Sequence, residues 1–257
     1  MLDDGPGPLV LVTGGCSGIG AASAAALHEL GYRPLLADIL PRPVVSGSLL
    51  WDERFDVADE NGVEDGVARI EAAHGPIHGL VNAAGVLGKT HPPARLRMSD
   101  WDREMAIDLR GTWLVARAAG RRMAERGRGS IVNIASIAGM TSAPAHAYAA
   151  AKAAVIGLTV GLAAEWGPRQ VRVNAVSPGF TATPALLKGI AAGVLSADGL
   201  THGAALGRLV EPAEVGRAVA WLISDAASGV TGINLPVDAG VLAGTAWLPY
   251  GGMRNST

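Results

Sequence analysis

Residues 8–20, "PLVLVTGGCSGIG", decide the fold. Leu9 to Val12 form an apolar run of strand length, and the run ends in Thr-Gly-Gly. The chain then passes into "AASAAALHEL" (21–30), whose apolar residues recur at helical spacing. A buried strand that turns through glycines straight into a helix opens a βαβ unit. Gly14, Gly18 and Gly20 permit the tight turn, let backbone approach a pyrophosphate, and leave room for the helix to pack on the sheet. The helix N-terminus then faces the anion. A ligand-free glycine turn is the plainer alternative in a chain with 35 glycines, but placement between strand and helix favours the binding loop.

Working outward, the same alternation repeats. "RPLLAD", "IHGLVNAAG", "GSIVNIAS", "VRVNAVSPG" and "GINLPVDAG" are Val/Ile/Leu-rich runs closed by Gly, Asp or Ser, and "LLWDERFDV" adds a strand ending at Asp56. Helical periodicity covers Ala21–Leu30, Val63–Ala73, Asp100–Glu125, Tyr148–Trp166 and Ala213–Ser224. Ser99 is placed to cap the third of these with Asp102 in its first turn, and Pro212 suits the first turn of the last. Nearly all-apolar strands alternating with helices predict an α/β fold: a Rossmann-like, doubly wound sheet of about seven parallel strands flanked by helices. No linker divides residues 1–257, so one domain is expected.

Composition limits the partners. At 257 residues, 49% hydrophobic and 17% charged, the chain can bury a large core. A formal charge of −2 gives no reason to expect nucleic acid or an anionic membrane. Cys16 is the lone cysteine, which excludes an internal disulfide and fits a reducing compartment. The acidic start "MLDDGPGPLVLVTGG" lacks the basic region of a signal peptide and is too short in apolar residues to span a membrane, so the cytoplasm is expected. The histidines at 28, 74, 78 and 91 show no metal-ligand spacing, and no metal is expected.

Ligands of open parallel sheets bind beyond the carboxyl ends of the strands. Asp38 closes the second strand about twenty residues after the glycine loop, where a carboxylate accepts hydrogen bonds from an adenosine ribose and repels the extra phosphate of NADP. NAD is therefore preferred, although Arg42 could pair with a 2′-phosphate. Further along, "YAAAK" (148–152) places Tyr148 and Lys152 four residues apart, on one face of a helix. Spacing alone permits a partnership, and an alanine-rich packing helix has the same pattern.

"TGGCSGIG" (13–20), "NAAG" (82–85), Ser136 in "IVNIAS", "YAAAK" and "SPG" (177–179) in this order resemble the short-chain dehydrogenase/reductase family, in its classical branch, over essentially the whole chain. The resemblance implies that Tyr148 is the acid/base, exchanging a proton with a substrate oxygen. Lys152 would favour the phenolate and hold the nicotinamide ribose, and Ser136 would hydrogen-bond the substrate oxygen. It also implies cofactor contacts from Thr13, Gly14, Ser17, Gly18, Ile19, Gly20, Asp38, Asp56, Val57, Asn82, Ala83, Gly85, Tyr148, Lys152, Pro178, Gly179 and Thr181, with His146 near the substrate beside Ser136 and Tyr148. The implied reaction is NAD-preferring interconversion of a secondary alcohol and a ketone. A 3-oxoacyl-thioester reductase, a cyclic dihydrodiol dehydrogenase and a catalytically weak nucleotide sensor are the alternatives. A homotetramer is implied, with the helices near 100–125 and 148–166 and the C-terminal strand at interfaces.

Two departures from that pattern stand out. Asp108, in "DLRG", occupies the fourth catalytic position, where the family carries an asparagine that helps hold a water linking the lysine to solvent. If the helix backbone carbonyl does that work, the aspartate changes little, and this is the expectation. If the carboxylate reaches Lys152 instead, it opposes ionisation of the tyrosine. The second departure is Pro41 and Pro43, which discourage the usual helix after Asp38. The apolar segment at about 181–207, with Lys188 and His202 as its polar members, is expected to close over a modest-sized alcohol or ketone.

Overall fold

The computed structural model describes residues 7–40, 50–88, 90–250 and 252. Arg42, Pro41 and Pro43 lie outside the described residues. The chain runs β1 (Leu9–Thr13), α1 (Gly18–Glu29), β2 (Arg33–Ala37), β3 (Leu50–Glu53), α2 (Glu60–His74), β4 (Ile77–Asn82), α3 (Met98–Glu104), α4 (Thr112–Arg126) and β5 (Gly129–Ile134). It continues through α5 (His146–Trp166), β6 (Val171–Pro178), α6 (Pro184–Ala191), α7 (Ala197–Thr201), α8 (Pro212–Ile223), β7 (Asn234–Val237) and α9 (Val241–Gly244). The strands form one parallel sheet in the order β3-β2-β1-β4-β5-β6-β7, with the four-residue β3 at one edge.

This order reverses direction at β1, and the crevice between the carboxyl ends of β1 and β4 is where such sheets take a ligand. Both faces are covered. Leu9, Leu11, Leu80 and Ile131 point into a core shared with α2 and α4, whereas Val10, Val12, Val81 and Val132 meet α1 and α8. This period-2 partition explains why the strands read as continuous apolar runs, since neither face meets water.

Three expected boundaries move. The strand ending at Asp56 stops at Glu53, because the Asp56 carboxylate accepts from the Ala58 N–H at 2.9 Å and turns the chain toward α2. Ser99 is not a cap. Arg97 holds the N-cap of α3 and its guanidinium grips Asp100 in the first turn with two 2.8 Å bonds, so the helix starts earlier. The helix expected over Asp100–Glu125 is continuous in path but not in winding. Between α3 and α4, Met105–Gly111 is π-helical, a form that concentrates at functional sites. Pro212 does occupy the first turn of α8.

Candidate active site

The glycine loop is built for close approach. A Cβ on Gly14 (φ +63°) would lie 2.7 Å from the Ala84 backbone, and one on Gly20 would strike the Gly14 carbonyl oxygen. Ser17 caps α1 without a side-chain bond to it, and no acid occupies the first turn. The first amides of α1 therefore lack an intrahelical acceptor and face the crevice with the positive end of the helix. Asp38, just past β2, accepts from the Cys16 N–H (3.1 Å) and from the Leu40 N–H (3.0 Å), one on each carboxylate oxygen. Each oxygen keeps a further lone pair. Burial and the facing Asp38 carboxylate push the Cys16 thiol up to about 12, so it stays protonated. Free amides at a helix start, a glycine cradle and an acid beyond the second strand fit a nicotinamide dinucleotide.

Across the crevice lies the polar cluster. α5 is long and apolar enough by composition to cross a membrane, yet Ala151, Val155 and Leu162 are buried in this fold. Lys152 faces the same interior and is only 4% exposed. Its ammonium donates to the Ile134 carbonyl at 3.0 Å, pairs with the Asp108 carboxylate at 3.2 Å, and lies 5.5 Å from the centroid of the Tyr148 ring. An ammonium has three N–H donors, so one remains for a ligand. Tyr148 is half-buried one turn earlier. Ser136, two residues beyond β5, accepts from the Ala138 N–H at 3.1 Å and keeps its own proton to donate. The chain after Ser136 lies directly on α5, since a Cβ on Gly139 would sit 2.6 Å from the Ala153 nitrogen.

Asp108 departs from the expectation. Its backbone carbonyl accepts from the Thr112 hydroxyl at 2.8 Å, and it is the carboxylate that reaches the site, holding Lys152 and accepting from the Val86 N–H at 3.2 Å. The close approach is real at Gly85 too, where a Cβ would lie 2.5 Å from Asp108 Oδ1. Full burial pushes the Asp108 carboxyl above its ordinary value, and the Lys152 ammonium opposes that shift without cancelling it.

Other expected residues divide by what they touch. The Thr13 hydroxyl accepts from the Ala83 and Ala84 amides and so latches β1 to the 82–85 turn. Asn82 donates to Asn133 Oδ1 at 2.9 Å and to the Thr112 carbonyl, while its own Oδ1 is buried without a partner. Val57 is buried beneath Gly111, Thr181 bonds back to the Gly179 carbonyl, and Thr183 stands over Gly18. Pro178 ends β6. Ile19 is half-buried in the first turn of α1. His146 is exposed at the first residue of α5, two residues before Tyr148.

One residue escaped the sequence reading. Glu104, the last residue of α3, is 5% exposed, and its carboxylate lies against Gly88. The available signal was an acid four residues before Asp108 in a helical register, which puts both on one face.

A family model described as enoyl-(acyl carrier protein) reductase matches residues 14–242. D-threitol dehydrogenase of Mycolicibacterium smegmatis is 39% identical, covering 91% of this chain and 92% of that protein. A crystal structure described as ribose-5-phosphate isomerase from Brucella melitensis 16M is 46% identical, with a TM-score of 0.93 over 98% of both chains. A structure of ElxO with NADP bound is 28% identical, with a TM-score of 0.86 over 92% of this chain and 99% of that one. With five motifs in order, the doubly wound sheet and a match running nearly end to end, the chain belongs to the short-chain dehydrogenase/reductase family.

Proposed function

We propose that this oxidoreductase interconverts a secondary alcohol and a ketone, preferring NAD, with Tyr148 as acid/base. The observation that carries the reading is the buried Lys152 ammonium, fixed by Ile134 and Asp108 and 5.5 Å from the Tyr148 ring. A bound nicotinamide supplies the hydride acceptor or donor. Ser136 donates a hydrogen bond to the substrate oxygen and holds it beside Tyr148. Tyr148 takes the hydroxyl proton as the alcohol is oxidised and returns it as the ketone is reduced. The third Lys152 N–H holds the ribose, and its charge favours the phenolate. The glycine loop and the α1 N-terminus take the pyrophosphate.

Asp38 supports NAD, because a buried carboxylate repels a 2′-phosphate while its remaining lone pairs suit ribose hydroxyls. The similarity to a threitol dehydrogenase favours a small polyhydroxy alcohol, with cyclic diols and 3-oxoacyl thioesters next. Residues 181–207 are the proposed lid, one domain carries the activity, and the chain assembles as a homotetramer through the faces of α4 and α5 that expose Trp113 and Val160.

The similarity to a structure described as an isomerase sets the competing reading. An aldose–ketose isomerisation moves protons without a nucleotide, and neither the glycine cradle nor Asp38 would serve it. The test is reduced-nicotinamide absorbance with polyols, cyclic diols and their ketones, alongside ribose 5-phosphate conversion without nucleotide. Tyr148→Phe is expected to lose about 1,000-fold in kcat with dinucleotide affinity retained. Nucleotide-independent isomerisation, or full turnover in Tyr148→Phe, overturns the reading.

A further inference from the structure

The proposed lid leaves and rejoins the body at one place. The Ala182 N–H donates to the Val210 carbonyl at 2.8 Å, and the Val210 N–H donates to the Phe180 carbonyl at 2.9 Å. Between these ends α6 and α7 bury no residue fully, so little packing holds them. A second attachment lies near the lid's far end. Leu206 donates its N–H to the Ala239 carbonyl at 3.0 Å, Ala205 donates to the Gly240 carbonyl at 3.3 Å, and a Cβ on Gly240 would lie 2.7 Å from that of Ala205. These acceptors stand in the turn between β7 and α9, where the backbone is strained. Ala239 (φ +51°) and Gln170 are the only non-glycine residues at positive φ among the described residues. An alanine leaves the left-handed region unless its surroundings hold it there. Asp238 does so: its carboxylate accepts from the Gly240 N–H at 2.9 Å through Oδ1 and from the Leu242 N–H at 2.8 Å through Oδ2, closing the turn around Ala239.

We propose that the 238–240 turn is the pivot of the lid, with Asp238 as its positioning residue. The inference rests on the reading of residues 181–207 as the segment that closes over substrate. By holding Ala239 in the left-handed conformation, Asp238 aims the Ala239 carbonyl at the Leu206 N–H and confines the swinging part to the chain between Thr183 and Gly203. Every residue freed from the pivot has to be ordered again when substrate binds, and that costs affinity. The pivot also reaches the reacting groups. Ala204 is buried in one apolar cluster with Ile137 and Val241, and Ala239 and Leu242 pack against it. Ile137 directly follows Ser136, which is proposed to hold the substrate oxygen. The pivot and the serine loop are thus seated on the same cluster, so the lid closes in register with the hydroxyl it covers.

Hydrogen exchange and steady-state kinetics of two variants test the pivot. Asp238→Ala removes both bonds and lets Ala239 relax, so the Ala205 and Leu206 amides are expected to exchange about tenfold faster while a peptide covering β1 keeps its wild-type rate. Substrate KM is expected to rise about tenfold, with kcat within about threefold and dinucleotide affinity within about twofold of wild type, because the freed segment is ordered only when substrate binds. Glycine enters the left-handed region without strain, so adding Ala239→Gly to Asp238→Ala should return exchange and KM to within about threefold of wild type. A bulk loss of stability would not be repaired in this way, since glycine also loosens the unfolded chain. Asp238→Asn keeps one accepting oxygen and should quicken exchange only about threefold, which gives the same reading if the alanine variant does not fold. If wild type turns over no alcohol but the exchange pattern and its rescue hold, the reading of function fails and the pivot stands. Unchanged exchange at Ala205 and Leu206 in Asp238→Ala, equal quickening in the β1 peptide, or no rescue by glycine overturns the proposal.

Discussion

The helical path from Met98 to Arg126 carries ion pairs at both ends, and the two ends behave oppositely. Toward its C-terminus, α4 faces α2 across a seam that runs from half-exposed pairs at Glu60 to largely buried ones at Glu71. Arg110 and Arg117 hold Glu60, Arg121 and Arg122 hold Glu64, and Arg122 and Arg126 hold Glu71, at 2.8 to 3.6 Å. Cations outnumber acids there, and hydrogen bonding and charge from Arg117, then Arg110, hold the Glu60 carboxyl below its ordinary value. At the N-terminal end two acids, Glu104 and Asp108, lie one turn apart in a dry interior, and of the two it is Asp108 that pairs with Lys152. Asp108 meets Lys152 at 3.2 Å, inside the 2.8 to 3.6 Å range of the seam, yet its carboxyl is raised. Desolvation, not the distance to the cation, sets the sign. The Glu60 end of the seam is solvated and inexpensive, whereas the buried cluster opposes folding and coincides with the groups proposed to move the proton.

Breaking the buried end gives the largest effect. Asp108→Ala strips the counter-charge from a buried Lys152 and leaves the Val86 amide without its acceptor. We expect a stability loss of about 3 kcal/mol and about a 100-fold fall in kcat/KM, read by urea unfolding and steady-state kinetics. Activity close to wild type would mean that the helix carbonyl suffices after all.

Asp108→Asn sharpens the contrast instead. The amide oxygen still accepts from Lys152 or Val86, so the rate at the optimum should stay within about threefold. The pH dependence of stability is diagnostic. A raised folded pKa means that the native state binds more protons than the unfolded chain between the ordinary carboxylate range and the raised value. Wild type therefore loses stability as pH climbs through that window. Asparagine removes this dependence, and the urea midpoint of the variant minus that of wild type should become more positive from pH 4 to pH 7. A difference that falls with pH would show that Lys152 overcomes burial.

The two regions also differ in how far the sequence reveals them. The sheet, the glycine loop and the 148–152 pair are local patterns, because strand periodicity, turn residues and an i,i+4 spacing are written in adjacent positions. Asp38 was legible for the same reason, standing at the end of its strand. The direction of the Asp108 carboxylate was not, since it depends on a π-wound turn that brings the side chain under Gly85, and no residue in "MAIDLRG" announces such winding. Glu104 reads locally as one more charge on a surface helix, and its burial against the chain at Gly88 is a tertiary contact that no adjacent residue announces. The start of α3 was misplaced because Arg97 and Asp100 form a pair that no single cap preference anticipates.

The exposed seam supplies the smallest effect and the opposite sign. The Glu60 carboxyl is held below its ordinary value by Arg117 and Arg110, so its contribution is present above the unfolded carboxylate range and disappears as pH falls through that range toward the folded value. Glu60 and both arginines are about half exposed, and water and salt screen the pair. Glu60→Gln should lower Tm by about 1 °C or less at pH 7 in low salt, and the shift should vanish near pH 3 or in about 0.5 M salt. A larger, salt-resistant loss would show that α2 and α4 depend on their ion pairs rather than on the apolar residues beneath them, Val63, Val67, Ile70, Leu114 and Ala118. A small, screened loss leaves that packing as what joins the two helices, and leaves charge with a decisive role only where this fold has taken it out of water.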